Sequence, residues 1–201
     1  MKTIRLGIIG TGMALERLHY PALQELGDKY QIVAVCNRTR KDAEDFAKKI
    51  NLDLSNVYDD YNKMLLRGDL DAVDILVPIE LNYTVSEAVA KAGIDFICEK
   101  PMASSMEEAD KYLTLSKKYN VKIMIAENYR YNEENNIIRD IVNSKKIGDT
   151  VYFIRNNISC FPCEMTQDTF AAKEWRQHPK YYGGAFLDAA LHDFAALRHI
   201  F

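Results

Sequence analysis

The chain has no apolar run long enough to span a bilayer, no excess of basic charge, no low-complexity tract and no internal repeat. A net charge of -3 leaves no basic face for phosphates, so nucleic acid is not an expected partner. Without a span of about 20 apolar residues, a membrane is not one either. Cysteine is scarce, with four in 201 residues. Cys36 and Cys98 end apolar runs and read as small core residues. Cys160 and Cys163 form a CxxC with no second pair to complete a zinc site. That pair also falls outside any strand-to-helix turn, so neither a metal nor a redox role is expected. At the N-terminus, charge precedes an apolar stretch too short for a signal-peptide core, which runs directly into glycines. Together with reduced thiols this reads as a cytoplasmic protein.

What is present is an ordinary globular composition, 48% hydrophobic and 27% charged, arranged in a regular alternation. Short apolar runs at residues 4–9, 31–36, 57–58, 72–77, 94–98 and 121–126 read as strands. Amphipathic stretches at 15–26, 41–50, 61–67, 85–92 and 106–119 read as the helices between them. Strands alternating with helices predict an α/β fold with a Rossmann-type, doubly wound parallel sheet over residues 1–126. From residue 127 the texture changes. Residues 132–145 read as a helix ending near Gly148, 150–158 as a half-exposed strand, and Gly183-Gly184 as the opening of a final apolar helix. One strand and a helix cannot bury their own faces, so residues 127–201 read as a partial α+β substrate and oligomerisation domain.

Three places carry chemistry. Gly10-Thr-Gly12 follows the first strand, where a tight turn lets backbone N–H groups reach a pyrophosphate at a helix N-terminus. The third glycine of G-x-G-x-x-G is replaced by Leu15, and a ligand-free turn is the alternative. The second strand ends in Asn37-Arg38-Thr39-Arg40, with no carboxylate to take ribose hydroxyls or repel a 2′-phosphate. Arg38 can pair with that phosphate, which points to NADP over NAD, unless both arginines merely begin the next helix. Glu99-Lys100-Pro101 places a cation in a stiff loop at the carboxyl edge of the sheet, where open α/β sheets bind ligands. Asp188 and His192, four apart on the last helix, share a face. They read either as a helix-surface pair or as a histidine able to move a proton beside a carboxylate that orients it.

These motifs occur in an order that resembles a known family. Gly7-Ile-Ile-Gly10-Thr-Gly12 with His19-Tyr-Pro21-Ala22, then Glu99-Lys100-Pro101, then Gly183-Gly184 through Asp188 to His192 are similar to the glucose–fructose oxidoreductase/inositol dehydrogenase/MocA family of NAD(P)-dependent oxidoreductases. Asp71-Ala-Val-Asp-Ile-Leu-Val-Pro78 and Asn128-Tyr-Arg130 fit the same pattern. The resemblance implies hydride transfer between nicotinamide and a carbinol or carbonyl carbon of a sugar, polyol or related small molecule. It makes Lys100 the group that polarises the reacting oxygen, His192 the general acid/base, and Asp188 a support for substrate or histidine. It assigns cofactor contacts to Gly10, Thr11, Gly12, Met13, Asn37, Arg38, Pro78, Asn82, Glu99, Lys100 and Asn128, and no metal. Asn82 departs from the histidine common at its position, Ala190 from a usual glycine and Ala195 from a frequent aspartate. Members of the family continue into an antiparallel sheet largely missing here, so the alternatives are a non-catalytic NAD(P)-binding sensor or an inactive truncated member. A homo-oligomer is expected if the second domain is completed.

Overall fold

A computed structural model describes residues 2–156, 158, 169–170, 172–180 and 183–201. The chain divides into two compact units, Met1–Ala126 and Glu127–Phe201.

In the first unit the apolar runs form the strands β1 (Ile4–Ile9), β2 (Tyr30–Cys36), β3 (Val57–Tyr58), β4 (Ala72–Ile75), β5 (Asp95–Cys98) and β6 (Ile123–Ile125). All pair in parallel in the order β3-β2-β1-β4-β5-β6, the doubly wound sheet that the sequence predicts. Strand order reverses between β1 and β4, so the crevice that binds ligands in such sheets opens at their carboxyl ends. The period-2 alternation of strands divides the core. Leu6, Ile8 and Val35 pack on one face against Leu15, Ala43, Phe46 and Ala47. Ile9, Ala34, Val73, Ile75, Phe96 and Cys98 pack on the other against Val85, Val89, Tyr112 and Leu115. Leu15 precedes α1 (Tyr20–Glu25), and the other helical residues come from α2 (Arg40–Lys49), α4 (Ile79–Lys91) and α5 (Met106–Tyr119), while α3 (Tyr61–Leu65) adds Met64 to the second face.

Local chemistry explains several boundaries. Ser105 accepts from the Glu108 amide at 3.2 Å, and the Glu108 carboxylate accepts from the Ser104 amide and hydroxyl at 3.0 and 2.7 Å, so two orphan donors at the start of α5 are satisfied. Helix α4 starts at Ile79, six residues before the apolar stretch at 85–92, with Pro78 as its N-cap, three residues past the end of β4. Helix α1 is entered through a π-helical turn, Leu15–His19, in which the Tyr20 amide reaches the Leu15 carbonyl. Pro21 explains it: its ring would crowd the carbonyl four residues back, and widening the preceding turn relieves that clash.

The second unit contains a 3-10 turn (Asn128–Tyr131), α6 (Glu133–Asn143), α7 (Glu174–Gln177) and α8 (Gly184–Ile200). The strand expected over residues 150–158 does not form: the described residues there carry no strand, and Val151, Tyr152, Ile154 and Ile158 are exposed. Among the described residues of this unit no strand lies beside it, so its backbone groups would have no ladder to join. Cys160 and Cys163 lie outside the described residues.

The core is tightest around the central strand. Replacing the fully buried Ile8 by Ala should cost about 2–5 kcal/mol of unfolding free energy in a urea titration, with an unchanged native circular-dichroism spectrum.

Candidate functional site

Gly10 closes β1 with φ +103°, and its amide donates to the Cys36 carbonyl at 2.8 Å. A Cβ there would stand 2.1 Å from the Leu76 carbonyl oxygen, so β1 and β4 can approach as they do only with glycine between them. Gly12 differs: a Cβ there would meet nothing within 4 Å. Between the two, the Thr11 side chain is buried and its hydroxyl has no hydrogen-bond partner. An open cradle and an orphaned hydroxyl at the start of a helix fit a phosphate-bearing group. Met13, half-buried, continues this turn into the helix.

At the end of β2, Asn37 Oδ1 faces the Thr11 amide at 3.5 Å, and its Nδ2 donates to the Thr39 carbonyl and the Asp42 carboxylate. Arg40 opens α2 and is committed there, bonding Glu44 at 2.8 Å and the Val57 carbonyl at 3.1 Å. Arg38 is exposed at the carboxyl edge of the sheet.

The loop after β5 is braced from two sides. Asn82 is fully buried, and its Nδ2 donates to the carbonyls of Glu99 (3.1 Å) and Pro101 (2.6 Å). Its Nδ2 thus supports the loop, while its buried Oδ1 has no hydrogen-bond partner. Glu99 is likewise drawn inward, its Oε2 accepting from the Lys100 amide at 3.0 Å and its Oε1 facing His19 Nε2 at 3.0 Å. The Lys100–Pro101 peptide is cis, Lys100 is half-buried, and Pro78 is exposed at the start of α4.

His19 and Asp74 are the site residues whose roles the sequence reading missed. Asp74 lies in the middle of β4, almost fully buried, with His19 Nδ1 2.8 Å from its Oδ2. A carboxylate oxygen only accepts, and each ring nitrogen of His19 faces one, so two ionised carboxylates here call for a doubly protonated ring. Burial alone would lower the His19 pKa, but the hydrogen bonds and charges of Asp74 and Glu99 outweigh it and push the value up to about 10. The signal was available: a charge interrupting an apolar strand needs a partner.

In the second unit, the sequence pairs His192 with Asp188. The structure gives His192 a different orienting carboxylate: Nδ1 lies 2.8 Å from Glu127 Oε1, and the Tyr129 ring stacks on the imidazole at 4.2 Å. Glu127 also accepts from the Tyr129 amide at 3.0 Å, so one carboxylate caps the 3-10 turn and holds the histidine. Asp188, buried, binds Arg176 at 3.1 Å. Glu127 is 65 residues from His192, beyond the reach of any local spacing argument. Asn128 is exposed on the same turn.

Residues 4–127 match the oxidoreductase family with an NAD-binding Rossmann fold. The chain is 32% identical over 195 residues to the uncharacterized protein YMR315W of Saccharomyces cerevisiae, covering 97% of this chain and 54% of that protein. It is 25% identical over 200 residues to the dTDP-3,4-didehydro-2,6-dideoxy-alpha-D-glucose 3-reductase of Saccharopolyspora spinosa, covering 98% and 56%. The crystal structure of an oxidoreductase from Thermotoga maritima superposes with a TM-score of 0.84 at 35% identity, covering 99% of this chain and 60% of that one. The chain thus spans about half the length of these curated relatives. No described helix is long and apolar enough to cross a membrane.

The two glycines should separate under substitution. Gly10→Ala should lower unfolding free energy by about 2 kcal/mol or more, whereas Gly12→Ala should change it by no more than about 1 kcal/mol, both read by chemical denaturation. The raised pKa of His19 also sets a pH dependence. The stability it confers is complete below the ordinary histidine value of 6.5 and is lost as the pH rises through about 10. Melting temperatures should decline across that window in the wild-type chain, and the decline should be absent in His19→Gln.

Proposed function

Because the chain belongs to the oxidoreductase family with the NAD-binding Rossmann fold, we propose that it binds NADP(H) in preference to NAD(H) and serves hydride transfer to or from a carbinol or carbonyl carbon of a sugar, polyol or related small molecule. The observation that carries this is the open cradle at Gly12 beside the orphaned Thr11 hydroxyl, at the switch point of a parallel sheet. The backbone of Gly10, Thr11 and Gly12 would hold the pyrophosphate. Arg38 would pair with a 2′-phosphate, and Asn37 lies between the two. The sugar class is supported by the name of the Saccharopolyspora spinosa relative, a sugar 3-reductase.

The nicotinamide supplies the hydride acceptor or donor when bound. Oxidising a carbinol also releases a proton from its hydroxyl. We assign that proton to His192. Its Nδ1 lies 2.8 Å from Glu127, and in the tautomer that donates there Nε2 carries the lone pair a general base uses. Lys100 is assigned to the reacting oxygen, where a cation stabilises a developing alkoxide. Asp188, held by Arg176, is assigned to substrate. In the reducing direction the same groups work in reverse: His192 returns the proton as hydride arrives at the carbonyl carbon. Residues 1–126 take the cofactor role in this reading and 127–201 contribute to substrate binding and assembly. A cytoplasmic location and a homo-oligomer of the whole protein belong to the same proposal.

Fluorescence titration with NADPH and NADH tests the binding half. NADPH should bind more tightly, Gly12→Ala should weaken both cofactors, and Arg38→Ala should weaken NADPH about tenfold while sparing NADH. Failure of both cofactors to bind overturns the reading. Turnover against a panel of polyols, sugars and nucleotide sugars tests the rest, and Glu127→Gln should lower kcat with little change in the Kd for NADPH. Binding without turnover on any of them would support a cofactor-binding role in place of catalysis.

A further inference from the structure

We propose that His19 is a positioning residue for the Lys100 loop, an imidazolium clamped between Asp74 and Glu99 that ties the helix following the glycine turn to the backbone of Lys100. The inference rests on the assignment of Lys100 to the reacting oxygen and adds a residue to that site.

The chain of contacts is continuous. The helix that leaves Gly12 passes through the π turn at Leu15–His19, which ends on His19 because Pro21 follows. His19 Nδ1 lies 2.8 Å from Asp74 Oδ2 on β4, and Nε2 lies 3.0 Å from Glu99 Oε1. The second oxygen of Glu99 accepts from the Lys100 amide at 3.0 Å. Glu99 is therefore spent twice, once on each side, and has one orientation that satisfies both. Asn82 grips the carbonyls of Glu99 and Pro101 from beneath. The amide of Lys100 and the two carbonyls flanking it are thus all fixed.

The charge state follows from donor arithmetic. Two carboxylates facing two ring nitrogens need two N–H donors, which only the imidazolium provides. Asp74 and Glu99 are the charged groups that act on the ring, one from β4 and one from the end of β5. A neutral ring could meet the same distances only if one carboxyl held the proton instead. That alternative leaves His19 without the charge that fixes the Glu99 carboxylate as an acceptor for Lys100. A glutamine at position 19 can donate to one carboxylate but must turn its oxygen toward the other, so Glu99 or Asp74 loses its partner. A purely packing role for His19 predicts no effect on the Lys100 amide once the core is intact.

The test uses the full chain labelled with ¹⁵N-histidine, the His19 signals being assigned by their loss in His19→Gln. Both ring nitrogens should show protonated shifts from pH 6 to 9, and a neutral tautomer in that range overturns the proposal. Hydrogen exchange at the Lys100 amide should speed up at least tenfold in His19→Gln, with the amides of β4 and β5 unchanged. Because Asp74 is then a buried, unpaired charge, the single variant can lose its fold. The double variant His19→Gln/Asp74→Asn removes that charge and should melt close to wild type while still exchanging at Lys100 at least tenfold faster. Wild-type exchange at Lys100 in a folded double variant overturns the proposal. With a turned-over substrate, the double variant should lose kcat by up to about 100-fold, with the Kd for NADPH within about threefold of wild type. Failure of wild-type chain to bind NADPH would sink the proposed function instead, while the nitrogen shifts and the exchange rates still decide the role of His19.

Discussion

Strands β1 and β4 lie so close at their carboxyl ends that no side chain fits between Gly10 and the Leu76 carbonyl, and most of the architecture of the site depends on that approach. It brings the reversal point of the sheet to the end of β1. It forces a turn with positive φ, which sends the chain into a helix whose N-terminal amides face the crevice. Because that helix starts there, its residue 19 lies over β4, where Asp74 waits without another partner for Oδ2. The same adjacency of β4 and β5 delivers Glu99 to the other side of the imidazole. One missing Cβ thus decides the positions of a cradle, a buried pair of charged groups and the Lys100 loop.

Each unit contains a histidine held by carboxylate, and the two arrangements differ. His19 is enclosed by two acidic groups, the arrangement from which the proposed clamp follows. His192 has one carboxylate on Nδ1 and an aromatic ring on its face. The number of carboxylates around an imidazole sets how strongly its surroundings hold a proton on it. Placing His19 on a π turn follows the same economy, since an extra residue in a turn re-aims one side chain without disturbing the rest of the helix.

Much of the first unit was legible in the sequence. Its strands, their alternation with helices, the glycine turn and the capped start of α5 all follow from local patterns, and the structure differs by a few residues at the ends. Arg40 shows where such reasoning stops being sufficient. It was read together with Arg38, yet it is consumed by Glu44 and the Val57 carbonyl, because it falls one residue inside α2. The bracing of the loop by Asn82 Nδ2 carries no local signature in the sequence either. The strand expected at 150–158 had the right alternation and, among the described residues, no neighbour to pair with.

The sequence by itself determined the periodicities, the turns that need glycine or proline, the residue types able to hold phosphate or move a proton, and their order along the chain. These are local properties, decided by φ/ψ preference, side-chain period and capping over a few residues. Only the tertiary structure decided which carboxylate holds which histidine. Glu127 meets His192 across 65 residues, and Glu99 meets His19 across 80. Hydrogen bonds act over about 3 Å, so partners that far apart in sequence become neighbours only when the sheet order and the helix faces have been set.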